Sequence, residues 1–194
     1  FYMYDQIILI PIGGIGSRFK KNNYNRPKAL INVFGKPLIY YLISNLKVNN
    51  NTLVYIPYNH EYQKYRFEDT IINLFPKVQF KFLHLRSDTE GAAQTINIAL
   101  NNLSLVDDIP ILCLDSDSFY TTDVIKLWNK KNIVFYFKDL NSNPIYSYLK
   151  LDTNSKIFDI IEKQKISNYA CSGGYGFQSS KDLLKYTSNI IENN

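Results

Sequence analysis

Cysteine is almost missing from this chain: Cys113 and Cys171 are the only two, too few for a disulfide framework. Neither has a Cys or His neighbour at metal-ligand spacing, which excludes a local zinc-type motif. Cys113 lies within the apolar run 109–114 and reads as a small buried hydrophobe, while Cys171 precedes a Ser-Gly-Gly turn. Histidine is equally scarce, with His60 and His84 isolated from each other and from any nucleophile pattern. Long apolar runs are absent too. Nothing approaches the ~20 consecutive residues of a membrane span, and the run 7–12 is too short for the core of a leader peptide. Like charges form no blocks. The net charge of +5 is spread over lysines scattered among Asn and Tyr, which argues against nucleic acid and suits attraction to small phosphorylated substrates. The expected location is the cytoplasm, with no membrane or nucleic-acid partner. Met3 is the single methionine, and 188–194 runs out in a helical pattern without a stop signal, so the chain is expected to be part of a longer one.

What is present is ordinary globular chemistry: 45% hydrophobic and 20% charged residues in a length that suits one domain. Continuous apolar runs at 6–11, 52–56, 78–83, 109–114 and 133–137 predict strands buried on both faces. Amphipathic stretches at 37–46, 61–74, 92–103 and 122–129 predict helices between them. That alternation is the mark of an α/β domain with a mixed, mostly parallel central sheet and helices on both faces. After residue 137 the texture changes. Strands at 146–151, 156–162 and 171–177 and a helix at 181–191 predict a small antiparallel addition in the C-terminal third. The change of texture divides a single domain into an earlier part over about 5–137 and a later part over about 138–194.

The first strand stops at Gly13, Gly14, Gly16, Ser17 and Arg18. Glycines there let backbone N–H groups approach a polyphosphate, because no Cβ blocks the contact. Arg18 and, after Pro27, Lys28 can supply positive charge to a triphosphate. The turn is not a P-loop, since no Gly-Lys-Ser/Thr follows, and it fails a dinucleotide fingerprint at the last glycine. A second strand ends in Asp115-Ser116-Asp117. On an extended backbone the two carboxylates face one way and Ser116 the other. Such a pair suits Mg²⁺, which takes one or two carboxylates together with waters and phosphate oxygens. An ordinary structural alternative is that Asp117 or Ser118 caps the helix starting near Thr122.

The run Gly13-Gly14-Ile15-Gly16-Ser17-Arg18-Phe19, then Pro27-Lys28-Ala29-Leu30, then Val33-Phe34-Gly35-Lys36-Pro37-Leu38-Ile39, resembles the signature of the sugar-phosphate nucleotidylyltransferases. The resemblance implies a Rossmann-like nucleotide-diphospho-sugar transferase fold. It also implies transfer of a nucleoside monophosphate from an NTP to a sugar 1-phosphate, with release of pyrophosphate. By that likeness Arg18 stabilises the triphosphate and Lys28 bridges the reacting phosphates. Asp117 holds Mg²⁺, with Asp115 assisting or contacting the ribose. Thr89-Glu90-Gly91-Ala92-Ala93-Gln94-Thr95 is similar to the base-recognition turn of the family, with Gly91 under the nucleobase. Arg86 stands roughly where many members carry a pyrimidine-reading glutamine. Glu162-Lys163 and Ser172-Gly173-Gly174-Tyr175-Gly176-Phe177 resemble the acceptor-site elements, which assigns Glu162, Lys163 and Gly173 to the acceptor. Association into a homo-oligomer is a further expectation from the family. Three other readings stay open: a cytidylyltransferase acting on a non-sugar phosphate such as phosphocholine, an Asp-x-Asp glycosyltransferase, and a non-catalytic nucleotide-sugar-binding regulatory domain.

Overall fold

Four parallel strands form the centre of the molecule. The runs at 6–11, 52–56 and 109–114 give strands buried on both faces as expected, whereas the strands at 78–83 and 133–137 are only partly buried. The computed structural model describes residues 4–14, 26–103 and 107–193. β1 (Gln6–Leu9), β4 (Thr52–Asn59), β5 (Gln79–Leu85) and β6 (Ile111–Leu114) lie in the spatial order β5-β4-β1-β6, all parallel. Between β1 and β4 come a two-rung hairpin, β2 (Asn32–Val33) with β3 (Lys36–Pro37), and helix α1 (Leu38–Ser44). Helix α2 (Phe67–Leu74) connects β4 to β5, and α3 (Ala92–Leu103) connects β5 to β6.

Alternate residues of β1 feed two separate cores. Ile8 and Ile10 join Ile39 and Leu42 of α1, Phe67 and Ile71 of α2, and the wholly buried Trp128 of α4 (Val124–Trp128). Ile7 and Leu9 join Ile96, Ala99, Leu100 and Leu103 of α3 and Leu183 of α5 (Ser180–Glu192). Helices therefore cover both faces, and the change of face comes where the chain passes from β5 through α3 to β6 on the far side of β1.

The C-terminal third adds antiparallel strands. β10 (Tyr169–Phe177) pairs with β6 through residues 174–177 and with β8 (Ser147–Leu151) through 169–170. Its other edge carries β7 (Ile133–Lys138), with a bulge between Cys171 and Gly174. β8 in turn pairs with β9 (Ile157–Glu162). One eight-stranded sheet thus runs through both parts of the chain. Among the described residues no helix is long and apolar enough to cross a membrane.

Two predicted helices change form. The stretch 61–74 divides into a 3-10 turn, His60–Tyr65, and α2, separated by Arg66 in the left-handed region (φ 50°). In one α-helix residues five apart would sit about 140° around the axis. Here Tyr62 and Phe67 meet at 5.1 Å, and Phe67 lies 5.2 Å from Tyr58. Packing both rings into one pocket requires the break. The segment 122–129 contributes only the short α4, capped by Asp123, whose side chain accepts from the Lys126 N–H. Asp117 and Ser118 are therefore free of the capping role that they could have taken.

Two carboxylates hold the C-terminal additions in place. Asp108 accepts from Ser179 Oγ, Ser180 Oγ and the Lys181 N–H at the start of α5. Burial pushes its pKa up, but these hydrogen bonds outweigh burial and the net shift is downward. Asp139 accepts from the Tyr148 hydroxyl at 2.7 Å and from Asn141, and these bonds lower its pKa. A carboxylate with a depressed folded pKa stabilises the native state above its unfolded pKa of ~3.9, and that stability is lost as pH falls through the folded value. We expect the contribution of Asp108 and Asp139 to the urea midpoint to be constant between pH 7 and 5 and to be lost below pH 4. Asp108→Asn should lower the midpoint at pH 7 and shrink the acid drop, and an unchanged acid drop would remove Asp108 from this role.

Candidate active site

Parallel strands deliver their carboxyl ends to one edge of a sheet. A ligand crevice opens where neighbouring strands send their crossovers to opposite faces. That point lies between β1 and β6. Beyond β1 come Pro11, Ile12 and Gly14; beyond β6 come Asp115, Ser116 and Asp117. Together with Lys28 and Tyr62 these residues line one open cavity of about 280 Å³.

Charge of both signs meets there. Lys28, at the start of the 3-10 turn Lys28–Leu30, places Nζ 2.5 Å from Asp117 Oδ2, with both side chains about one-third exposed (32% and 40%). The turn is pinned by Tyr62, whose buried hydroxyl accepts from the Ala29 N–H at 3.2 Å. Burial pushes the Tyr62 pKa up to about 12, so this hydroxyl stays neutral. Asp115 reaches solvent on the cleft floor yet is ringed by protein atoms. That desolvation, reinforced by the charge of Asp117, raises its pKa to about 6 against the pull of Lys28. A second positive group, or a polyphosphate bringing its own cation, would complete the balance.

The antiparallel addition closes the cleft from the other side. The Asp115 N–H donates to Gly173 O at 2.8 Å, while the Ser118 and Tyr120 hydroxyls both donate to Ser172 O at 2.8 and 3.1 Å. Gly173 is in the left-handed region, and a Cβ there would stand 2.5 Å from Asp115 Oδ2 and 2.8 Å from Ser118 Oγ. Only glycine lets β10 approach the acidic turn this closely.

The sequence that builds this cleft matches a known family. A family model described as nucleotidyl transferase aligns with residues 6–192. The chain belongs to the nucleotidyl transferase family. Among curated relatives, the bifunctional protein GlmU of Methanocaldococcus jannaschii is 28% identical over 177 residues, covering 89% of this chain and 40% of the relative. A D-glycero-alpha-D-manno-heptose 1-phosphate guanylyltransferase of Campylobacter jejuni is 23% identical over 179 residues, covering 91% and 76%. The chain thus spans about two fifths of the length of the GlmU proteins it matches. The solved nucleoside-diphosphate-sugar pyrophosphorylase of Vibrio cholerae superposes with a TM-score of 0.77 at 19% identity, over 95% of this chain and 78% of that one. A UDP-glucose pyrophosphorylase complexed with UDP-glucose gives 0.72 at 18% identity, over 96% and 80%. At these identities the structures share the fold.

Within the nucleotidyl transferase frame, the sequence-predicted residues separate into groups. Gly14, Lys28, Asp115 and Asp117 share the cavity, with Gly13 and Gly173 packed at its margins. Residues 115–118 form a turn, closed by the Ser118 N–H to Asp115 O, and not the extended strand end that was expected. Ser116, expected on the opposite side, therefore lines the cavity as well. Arg86 and Gly91 are exposed beyond β5 and before α3, at the same edge of the sheet. Glu162 and Lys163 form an exposed ion pair at 2.7 Å, outside the cavity. Glu162 pairs with Ser147 of β8, and β8 pairs with β10, so the pair lies two strands from the Ser172-Gly173 segment. Gly16, Ser17 and Arg18 lie outside the described residues. Sequence reasoning missed Tyr62 and Asn59. Tyr62 was lost within an apparent helix, and Asn59 was overlooked although a polar residue at the carboxyl end of an apolar strand was a usable signal.

Gly173→Ala is expected to lower stability by about 1–3 kcal/mol in urea denaturation, the scale of a non-glycine residue forced into a strained backbone region. A variant as stable as the parent would show that the contact with Asp115 is not tight.

Proposed function

We propose that the chain transfers a nucleoside monophosphate from an NTP to a sugar 1-phosphate and releases pyrophosphate. The observation that carries this reading is the meeting of Lys28 with Asp115 and Asp117 at the switch point of a parallel sheet, beside the exposed main chain of Gly14. The relatives named above support it, as pyrophosphorylases and a sugar-1-phosphate guanylyltransferase.

The chemistry asks little covalent help of the protein. An acceptor phosphate oxygen is already ionised at neutral pH, so no general base is needed, in keeping with the position of both histidines outside the cavity that holds Lys28 and Asp117. The rate then comes from positioning and from neutralising charge. Lys28 offers its ammonium to the phosphate oxygens, and Asp117 orients that ammonium. Gly13 and Gly14 allow the backbone to approach the polyphosphate, and Arg18, by family likeness, balances the departing pyrophosphate. Tyr62 keeps the Lys28 turn in register.

The donor set suits magnesium. Among the described residues there is no group of three or more His, Cys, Asp or Glu able to cage an ion. Magnesium typically uses only one or two carboxylates and completes its shell with water and substrate phosphates. Asp117 would hold it with Asp115 alongside, and when bound it would supply positive charge to phosphate oxygens.

The test is pyrophosphate release from a panel of NTPs and sugar 1-phosphates. Lys28→Ala should lower kcat by ~10²-fold or more, the scale of removing a transition-state charge donor. Free nucleoside diphosphate formed from a nucleotide sugar, with no pyrophosphate from any NTP, would overturn the reading in favour of a glycosyltransferase. Near-normal turnover by Lys28→Ala would remove the role assigned to that residue.

A further inference from the structure

We infer that Asn59 is a positioning residue that ties together the two turns on which a nucleotide would lie, through paired bonds to Gly13 and Asp88. The inference rests on the nucleotidyl-transfer reading, which places phosphates at the Gly13 turn and the base at the turn 86–91.

Asn59 ends β4, immediately beside β1, and is 1% exposed. Its Nδ2 donates to Gly13 O at 3.1 Å and to Asp88 Oδ1 at 2.5 Å. Its Oδ1 accepts from the Glu61 N–H at 3.0 Å, and its own N–H donates to Ile12 O at 3.1 Å. Gly13 O and the Asp88 carboxylate are both acceptors, so only the amide nitrogen can face them, and its two hydrogens are both used. No other uncharged side chain of this size offers two donors and one acceptor in that geometry, apart from the longer glutamine.

A second tie runs in parallel. Thr89 Oγ1 and Thr95 Oγ1 are hydrogen-bonded at 2.7 Å, and Thr95 Oγ1 donates to Gly91 O at 3.1 Å. A Cβ on Gly13 would stand 2.5 and 2.6 Å from these two hydroxyls. The turn after β1 and the turn after β5 therefore lie against each other, with Asn59 of the intervening strand bonded to both. Asp88 is exposed on its outer side (44%), with His60 Nδ1 3.8 Å from its carboxylate. Neither Asn59 nor Asp88 lines the cavity that holds Lys28 and Asp117. The pair therefore acts on how the nucleotide is held and leaves the reacting charges untouched. A site whose halves are set in advance spends less binding energy on ordering them.

The test uses Asp88→Ala and Asp88→Asn, both at an exposed position where folding should survive. Kinetics are measured with the NTP that the parent protein uses fastest, and binding of its α,β-methylene analogue is measured by calorimetry. Asp88→Ala leaves a buried N–H of Asn59 unpaired and should raise KM for the NTP and Kd for the analogue about tenfold. KM for the sugar 1-phosphate and kcat should stay within about twofold. Asp88→Asn keeps an acceptor oxygen and should restore most of the affinity. Parent-like nucleotide binding by Asp88→Ala overturns the inference. So does an equal loss for both substrates, which would indicate general damage, or an Asp88→Asn as weak as Asp88→Ala, which would indicate charge in place of the bond. A parent protein that binds no analogue and releases no pyrophosphate overturns the functional reading itself, and the inference falls with it. An active parent with an unaffected Asp88→Ala overturns the inference alone.

Discussion

The ion pair between Lys28 and Asp117 is the contact on which the site depends, because its partners come from segments far apart in sequence that the β1–β6 pairing and the Tyr62 contact bring together. Two carboxylates crowded at one strand end repel each other. Burial raises the Asp115 pKa, the Asp117 charge adds to that rise, and Lys28 offsets part of it. A cleft with two carboxylates and a partly exposed ammonium is poised for a ligand that carries several negative charges together with compensating cations. Under the proposed reading that ligand is a polyphosphate. The parallel centre of the sheet creates this setting by directing the ends of β1, β4, β5 and β6 toward one edge.

The antiparallel third serves the same edge. By pairing with β6, β10 carries Gly173 against Asp115 and fixes Ser172 through two hydroxyls from the turn that bears Asp117. A sheet that changes from parallel to antiparallel at this strand therefore has a functional consequence. The segment resembling the acceptor-binding element and the acidic turn are hydrogen-bonded to each other. The Glu162–Lys163 pair lies farther out, two strands away.

Much of the fold was legible because its signals are local. The apolar runs at 6–11 and 109–114 contain strands that alternate side chains into two cores, which is why Gln6, bonded to Thr52, is their only polar position. Helix 92–103 was placed correctly because Ile96, Ala99, Leu100 and Leu103 repeat on one face. The misreadings came where tertiary packing overrides period. Tyr62 and Phe67 converge on Tyr58, and so break a helix that spacing alone would continue through Arg66. Ser116 enters the cavity because a hydrogen-bonded turn replaces the expected extended backbone. Asn59 carries no motif of its own; its meaning depends on a carbonyl and a carboxylate supplied by two other loops.

Residue order alone supplies the groups that the candidate site draws on. Glycines after the first strand, a lysine following a proline, and a carboxylate pair closing a later strand are each specified by neighbours in sequence. Which of them meet is a matter of topology. Strand order places β6 beside β1, the bulged β10 seats Gly173 on Asp115, and a buried asparagine fastens two turns that are far apart along the chain. Such contacts are long-range, and their free energy depends on burial and on hydrogen-bond partners that exist only once the sheet has formed.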